Sequence, residues 1–343
     1  MKKITLISLA ASLVMGCTVI VQKPLDVLTL FSSESKAQNQ VWVGTFQLAF
    51  NEVKDNIVKN NIEFINEEPT KELIGLNNSE FNKEMLNENS YYTSYGKTSP
   101  SAKKQIEKDI KVKFDTKSDI LDSLDWSEGI GKYYAYAMLK KQFEFFEKFD
   151  NLKKASFNNS IKKHEFFGID EKSNEKLYKN LNVLFYNDKN DYAVSLRTVN
   201  GDRVYLYRTN KNQTMDELYK EMLAKTNNYE GNREFTKIDT FKAPKLKFKA
   251  ERKYPELCNK QIKGTDLMFS EALETVEFEL DETGGKVKSE AALMMKTCSL
   301  PFMEERPTPR YFNFDKTFVL FLVDQGKDNP YLSAKIKNLD VLK

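Results

Sequence analysis

The chain of 343 residues sets 53 lysines and arginines against 50 aspartates and glutamates, and a formal net charge of +3 offers no global field to draw in nucleic acid. With 40% hydrophobic and 30% charged residues it has the composition of a globular fold under a solvated Lys, Asn and Glu surface, its core volume supplied largely by 24 Phe and 16 Tyr. Only three cysteines occur, which excludes a disulfide framework, and the length suits either one large domain or two ordinary ones.

The first residues come in an order with a physical purpose. Lys2 and Lys3 give a positive start, and residues 4–15 form an apolar run too short to span a bilayer of roughly 30 Å as a permanent helix. The run ends in Val14-Met15-Gly16-Cys17, which resembles the lipobox read by the lipoprotein signal peptidase. That resemblance implies a bacterial lipoprotein: removal of residues 1–16, lipid on Cys17, and display outside the cytoplasm on a cell surface or periplasmic membrane face. Each buried lipid methylene adds about 0.8 kcal/mol of anchoring. Residues 17–40 then read as a lipid-anchored tether with one strand allowed within it, and residues 41–343 as a single domain.

Trp42, Phe46, Phe50, Val53 and Ile57 recur at three- and four-residue steps, so residues 41–58 are expected to form an amphipathic helix. From 59 to 132, short helical patterns alternate with polar loops such as Asn87-Glu88-Asn89-Ser90, and residues 101–110 carry the clearest helix. The second half turns to short runs rich in aromatic and β-branched residues. Residues 192–199 and 203–207 flank Asn200-Gly201-Asp202, a hairpin signal. Thr214-Met215-Asp216-Glu217 can cap a helix over 214–223. Strands are expected within 240–250, 274–280 and 318–323. No internal repeat is visible. The balance is α+β, helices concentrated early and strands late.

Catalytic signals are missing. His164 is the one histidine, with no second to share a metal or serve a nucleophile, and a lone histidine reads as a surface or satisfied residue. No nucleophile elbow or zinc-protease motif occurs, and Gly284-Gly285-Lys286-Val287 lacks the earlier glycine and following Ser or Thr of a phosphate loop. Acidic pairs such as Glu67-Glu68 and Glu304-Glu305 fall in stretches that read as solvated loops. The reading is therefore not an enzyme, with no cofactor and no metal. Cys258 and Cys298 admit a bridge, or else a buried small hydrophobe and an exposed thiol.

Towards the C-terminus the motifs acquire a familiar order. The run Glu274-Thr275-Val276-Glu277-Phe278-Glu279-Leu280-Asp281-Glu282-Thr283-Gly284-Gly285 resembles the serpin strand that leads into the reactive-loop hinge, and Ala291-Ala292 continue the small residues of that hinge. Phe312-Asn313-Phe314-Asp315-Lys316-Thr317, followed by residues 318–323, is similar to the segment that introduces a buried serpin strand, with Thr317 in place of proline. Asn329-Pro330-Tyr331-Leu332-Ser333-Ala334 resembles the closing strand, with Ala334 where a glycine is expected. Upstream, Pro244-Lys245-Leu246-Lys247-Phe248 looks like the family's Pro-Lys-Phe strand. Residues 194–207 with 214–223 resemble its paired strands and following helix. Ala137-Met138-Leu139 with Phe145 and Phe149 faintly resembles the central strand, although helix propensity favours a helix there. The resemblance covers residues 133–343.

It implies a serpin-like α+β fold, with helices mostly in the first half, a large central sheet, smaller sheets and an exposed reactive-type loop. It also implies a monomer that inhibits a serine or cysteine protease, whose cut loop enters the largest sheet as a new strand. The hinge would comprise Glu282, Thr283, Gly284, Gly285, Ala291 and Ala292, and the scissile bond would lie near Cys298-Ser299, within residues 297–301. Insertion needs alternate residues that tolerate burial. Gly285, Val287, Ser289, Ala291, Leu293 and Met295 are all uncharged, whereas Lys286, Lys288 and Glu290 fall on the other face. Val287, Lys288 and Glu290 interrupt the usual alanines and Gly285 replaces a threonine, so a non-inhibitory serpin-fold lipoprotein that binds a partner or ligand is the alternative.

Overall fold

The computed structural model describes residues 24–285 and 308–342. Its largest sheet has seven strands in the spatial order β1 (Leu25–Val27), β2 (Asn39–Val43), β17 (Pro330–Ile336), β16 (Phe318–Val323), β10 (Arg203–Arg208), β9 (Asp191–Arg197) and β8 (Leu181–Asp188). All of β16 and β17 is buried, as expected for strands covered on both faces that read as continuous apolar runs. A four-stranded sheet runs β15 (Tyr311–Asn313), β11 (Thr240–Pro244), β7 (Lys163–Ile169), β6 (Asp150–Ser156). A second runs β12 (Leu246–Lys253), β13 (Leu273–Leu280), β14 (Gly284–Gly285), β5 (Phe143–Glu144). The antiparallel pair of β3 (Tyr91–Lys97) and β4 (Tyr133–Leu139) forms a separate two-stranded sheet.

The helices are α1 (Thr45–Glu52), continued as a π-helix over Val53–Val58, then α2 (Lys71–Asn78), α3 (Pro100–Phe114) and α4 (Met215–Asn227). Helix α4 opens on the expected capping box, the Thr214 hydroxyl and Glu217 carboxylate each satisfying the other's backbone amide. The Asn200-Gly201 hairpin forms as expected, pairing Leu196 with Val204 and Val194 with Leu206. The long strand expected within 240–250 is two strands, because β11 joins one sheet and β12 another.

Two expectations of helix fail, for one reason. Val41, Trp42 and Val43 are extended and pair with Ala334, Ser333 and Leu332 in turn, so the helix starts only after Gly44, where the Phe81 ring leaves no room for a Cβ. Ala137, Met138 and Leu139 lie in β4, paired with Thr93, Tyr92 and Tyr91. In both places cross-strand pairing overrides local propensity. Within the segment read as a tether, Leu25–Val27 pairs in parallel with residues 39–41 and Val27 and Leu28 are buried, so packed structure begins by Leu25.

Candidate functional site: a roofed groove

Strand β13 alternates by parity. Glu274, Val276, Phe278 and Leu280 face inward and are buried, while Glu277 and Glu279 face out beside Lys249 and Lys247 of β12. At its end the Asp281 carboxylate accepts from the Thr283 amide (2.8 Å) and hydroxyl (2.6 Å), and the Asp281 amide donates to the Gly284 carbonyl at 2.9 Å. The chain thereby reverses. Gly285 pairs back on Leu280, while Gly284 and Gly285 pair with Glu144 and Phe143 of β5 on the other side. This returning segment fits only without side chains: a Cβ on Gly284 would stand 2.1 Å from the Phe143 carbonyl oxygen, and one on Gly285 2.3 Å from the Phe143 ring. The threonine expected at Gly285 would require the buried Phe143 ring to move.

Glu282 clamps the reversal. Its carboxylate meets Lys245 at 2.5 Å and accepts from the Asn151 amide at 3.0 Å, and its carbonyl accepts from the Phe149 amide at 2.9 Å. Partial burial pushes this carboxyl up, but the bonds from Lys245, the backbone and Asn151 outweigh it and hold it down at about 2. The Thr283 carbonyl accepts from the Phe145 amide at 2.9 Å.

Among the described residues, β13 has no partner on this side below the two glycines and β4 pairs only with β3. Between β4 and β13 runs a groove of about 990 Å³. Its floor is α1, through Phe46, Ala49 and Phe50, and its roof is the strap of residues 116–126 that leaves α3. Asp119 on the strap reaches Lys249 of β12 at 2.8 Å, closing the roof over β13. Glu274 lies in the inner wall, fully buried, accepting from the Tyr254 hydroxyl at 3.0 Å and from the Phe46 amide, while the Phe46 and Tyr254 rings stack at 3.8 Å. Burial pushes its carboxyl up to about 8.

The link from β4 to β5 is pinned to the seven-stranded sheet. Buried Lys141 contacts Asp202 at 2.6 Å and also Asp324, with the Tyr331 ring beneath it at 5.1 Å. Burial pushes Asp202 up. Burial acts the same way on Asp324, but Lys141, the Asn87 amide and Ser90 outweigh it and hold that group down.

Of the expected site residues, Glu282, Thr283, Gly284 and Gly285 converge at the head of the groove. Cys17, Ala291, Ala292, Cys298 and Ser299 lie outside the described residues. His164 is satisfied by Asp340 at 2.7 Å, away from the groove, and Cys258 is half-buried with its thiol donating to the Tyr254 carbonyl at 3.3 Å. Sequence reasoning missed the β4 wall, the strap, Lys141 and Glu274. Only Glu274 left a signal, as a charged residue on the buried parity of β13. The expectation that the loop enters the largest sheet is corrected: β13 and the groove belong to a different sheet from the seven-stranded one.

This combination of helices, one large sheet, smaller sheets and a gapped strand pair defines a serpin-like α+β fold. No protein-family model and no curated protein matches the sequence. Among solved structures the chain is similar to Tengpin, a thermophilic serpin in its native state, with a TM-score of 0.50 and 10% identity over 91% of either chain. Further likenesses are Serpin48 of the insect Tenebrio molitor (TM-score 0.42, 11% identity, 75% of this chain and 78% of that one) and human thyroxine-binding globulin (0.41, 12%, 69% and 64%). The Tengpin likeness carries the fold through the helical first part, which the sequence motifs leave unaligned.

Proposed function

We propose that this serpin-like protein is a protease inhibitor, not an enzyme. It acts as a monomer without a cofactor, held outside the cytoplasm by lipid on Cys17. A serine or cysteine protease cuts near Cys298-Ser299, and the freed segment enters the groove as a strand. One observation carries this reading: Gly284 and Gly285 are hydrogen-bonded between β13 and β5 at the head of a groove whose strand edges, among the described residues, continue unpaired. Unpaired backbone donors and acceptors are costly to leave unmade, and a strand added between two edges satisfies both sets together. At roughly 3.4 Å per residue, the eight residues of β13 offer about 27 Å of edge.

The apolar floor supports a second reading, a non-inhibitory lipoprotein whose groove holds a partner or ligand. Incubating the chain from Pro24 with a panel of serine and cysteine proteases separates the two. Inhibition gives an SDS-resistant complex and a cut form with a higher melting temperature. Clean cutting with neither outcome overturns the inhibitory reading.

A further inference from the structure

We infer that the groove binds a primary amine carrying an apolar body, with its ammonium on the Glu274 carboxyl and its body along the aromatic lining. This rests on the ligand-holding reading above and names the ligand class. The cavity of about 990 Å³ has the size of a small-molecule site, and such sites join apolar walls to a few placed polar groups. Phe46, Phe50, Phe269, Trp126, Tyr134 and Tyr136 all contribute rings to the lining. Where α1 continues as the π-helix of Val53–Val58, Val53 and Ile57 line the cavity too, and such departures from the α-helical ladder are frequent at functional sites.

Glu274 is the anchor. It lines the cavity at 4% exposure, and while its Oε2 accepts from the Tyr254 hydroxyl at 3.0 Å, its Oε1 has no hydrogen-bond partner among the described residues. A buried oxygen left unbonded is costly, and an ammonium that meets it makes a charge-assisted hydrogen bond. The groups facing this carboxyl are the Tyr254 hydroxyl, the Phe46 amide at the start of α1 and the Arg252 guanidinium. Arg252 is engaged elsewhere, by the Val27 carbonyl at 2.6 Å and Glu256 at 3.2 Å. Burial keeps the carboxyl protonated to about pH 8, so an entering ammonium displaces its proton to solvent as the ion pair forms. The rest of the lining also favours a cation. Seven lining residues are acidic and three are lysines, and among the described residues the exposed Asp266 and Glu271 have no ion-pair partner. A lining of that sign draws cations and repels anions, and the aromatic rings attract an ammonium held over their faces.

The test is calorimetric titration of the full chain at pH 7 with phenylbutylamine, phenylbutanol and phenylbutyrate, each in two buffers of different ionisation enthalpy. The expectation is that the amine binds about tenfold tighter than the alcohol and the acid weakest of the three. Amine binding should release about one proton and alcohol binding none. E274Q should bring the amine down to the affinity of the alcohol and abolish proton release. Should that variant fail to fold, the proton count on the unaltered chain decides alone. Amine and alcohol binding equally, or the acid binding tightest, overturns the amine proposal and leaves the ligand-holding reading standing. Tight amine binding without proton release overturns the assignment to Glu274. Binding of none of the three overturns both the proposal and the reading beneath it.

Discussion

The seven-stranded sheet and the groove are made of the same material and left in opposite states. In the sheet, β16 lies between β10 and β17 and β17 between β16 and β2, so backbone groups are paired on both sides and side chains buried on both faces. At the groove, among the described residues, β4 pairs on one edge and β13 pairs on its second edge only at Leu280, the rest of each facing a cavity, with charged residues on the outer face of β13 and a carboxyl in its inner wall. One region has committed its pairing capacity to a fixed core. The other leaves strand edges unpaired among the described residues, next to the two glycines that pair with β5. The difference lies in partners: β-branched and aromatic residues occur in both regions.

The largest test breaks the tie between them. Replacing Lys141 with Met strands two buried carboxylates, Asp202 and Asp324, and is expected to cost about 3–5 kcal/mol in urea unfolding, with a loss that deepens as pH rises and both groups ionise. Next comes the groove wall itself. Glu274 holds its proton to about pH 8 in the folded chain, against an ordinary value near 4.5, so the folded state binds more protons across that window. The stability linked to it is complete below the ordinary carboxylate range and is lost as pH rises through 8. The melting temperature should fall over this window in the native chain, and E274Q should flatten that part of the curve; identical curves would show that Glu274 carries no such linkage. Smallest is the roof. Asp119 and Lys249 are both about half exposed, so D119N should change stability by no more than about 1 kcal/mol while hastening the rise in melting temperature after cutting.

Local chemistry made part of this legible. The Asn200-Gly201 turn, the Thr214 cap and the apolar run of β16 each declare themselves within a few residues, and each appears where expected. The residues from Glu282 to Gly285 were singled out only by resemblance, as a hinge, and the reversal they make was not read from the sequence. The strands β2 and β4 were not legible, because their extended form depends on partners far along the chain, residues 332–336 for one and 91–97 for the other. The groove was invisible for a deeper reason. A gap is the absence of a pairing, and no residue in β4 or β13 announces which edge will go without a neighbour.

The placement of β16 and β17 settles what a severed chain does. These strands come after the segment where the cut is expected, yet they sit in the middle of the seven-stranded sheet, with β10 and β2 from the first part of the chain on either side. A protein nicked between residues 285 and 308 therefore stays whole in solution as two interleaved fragments. The shorter fragment leaves only when the sheet itself is melted.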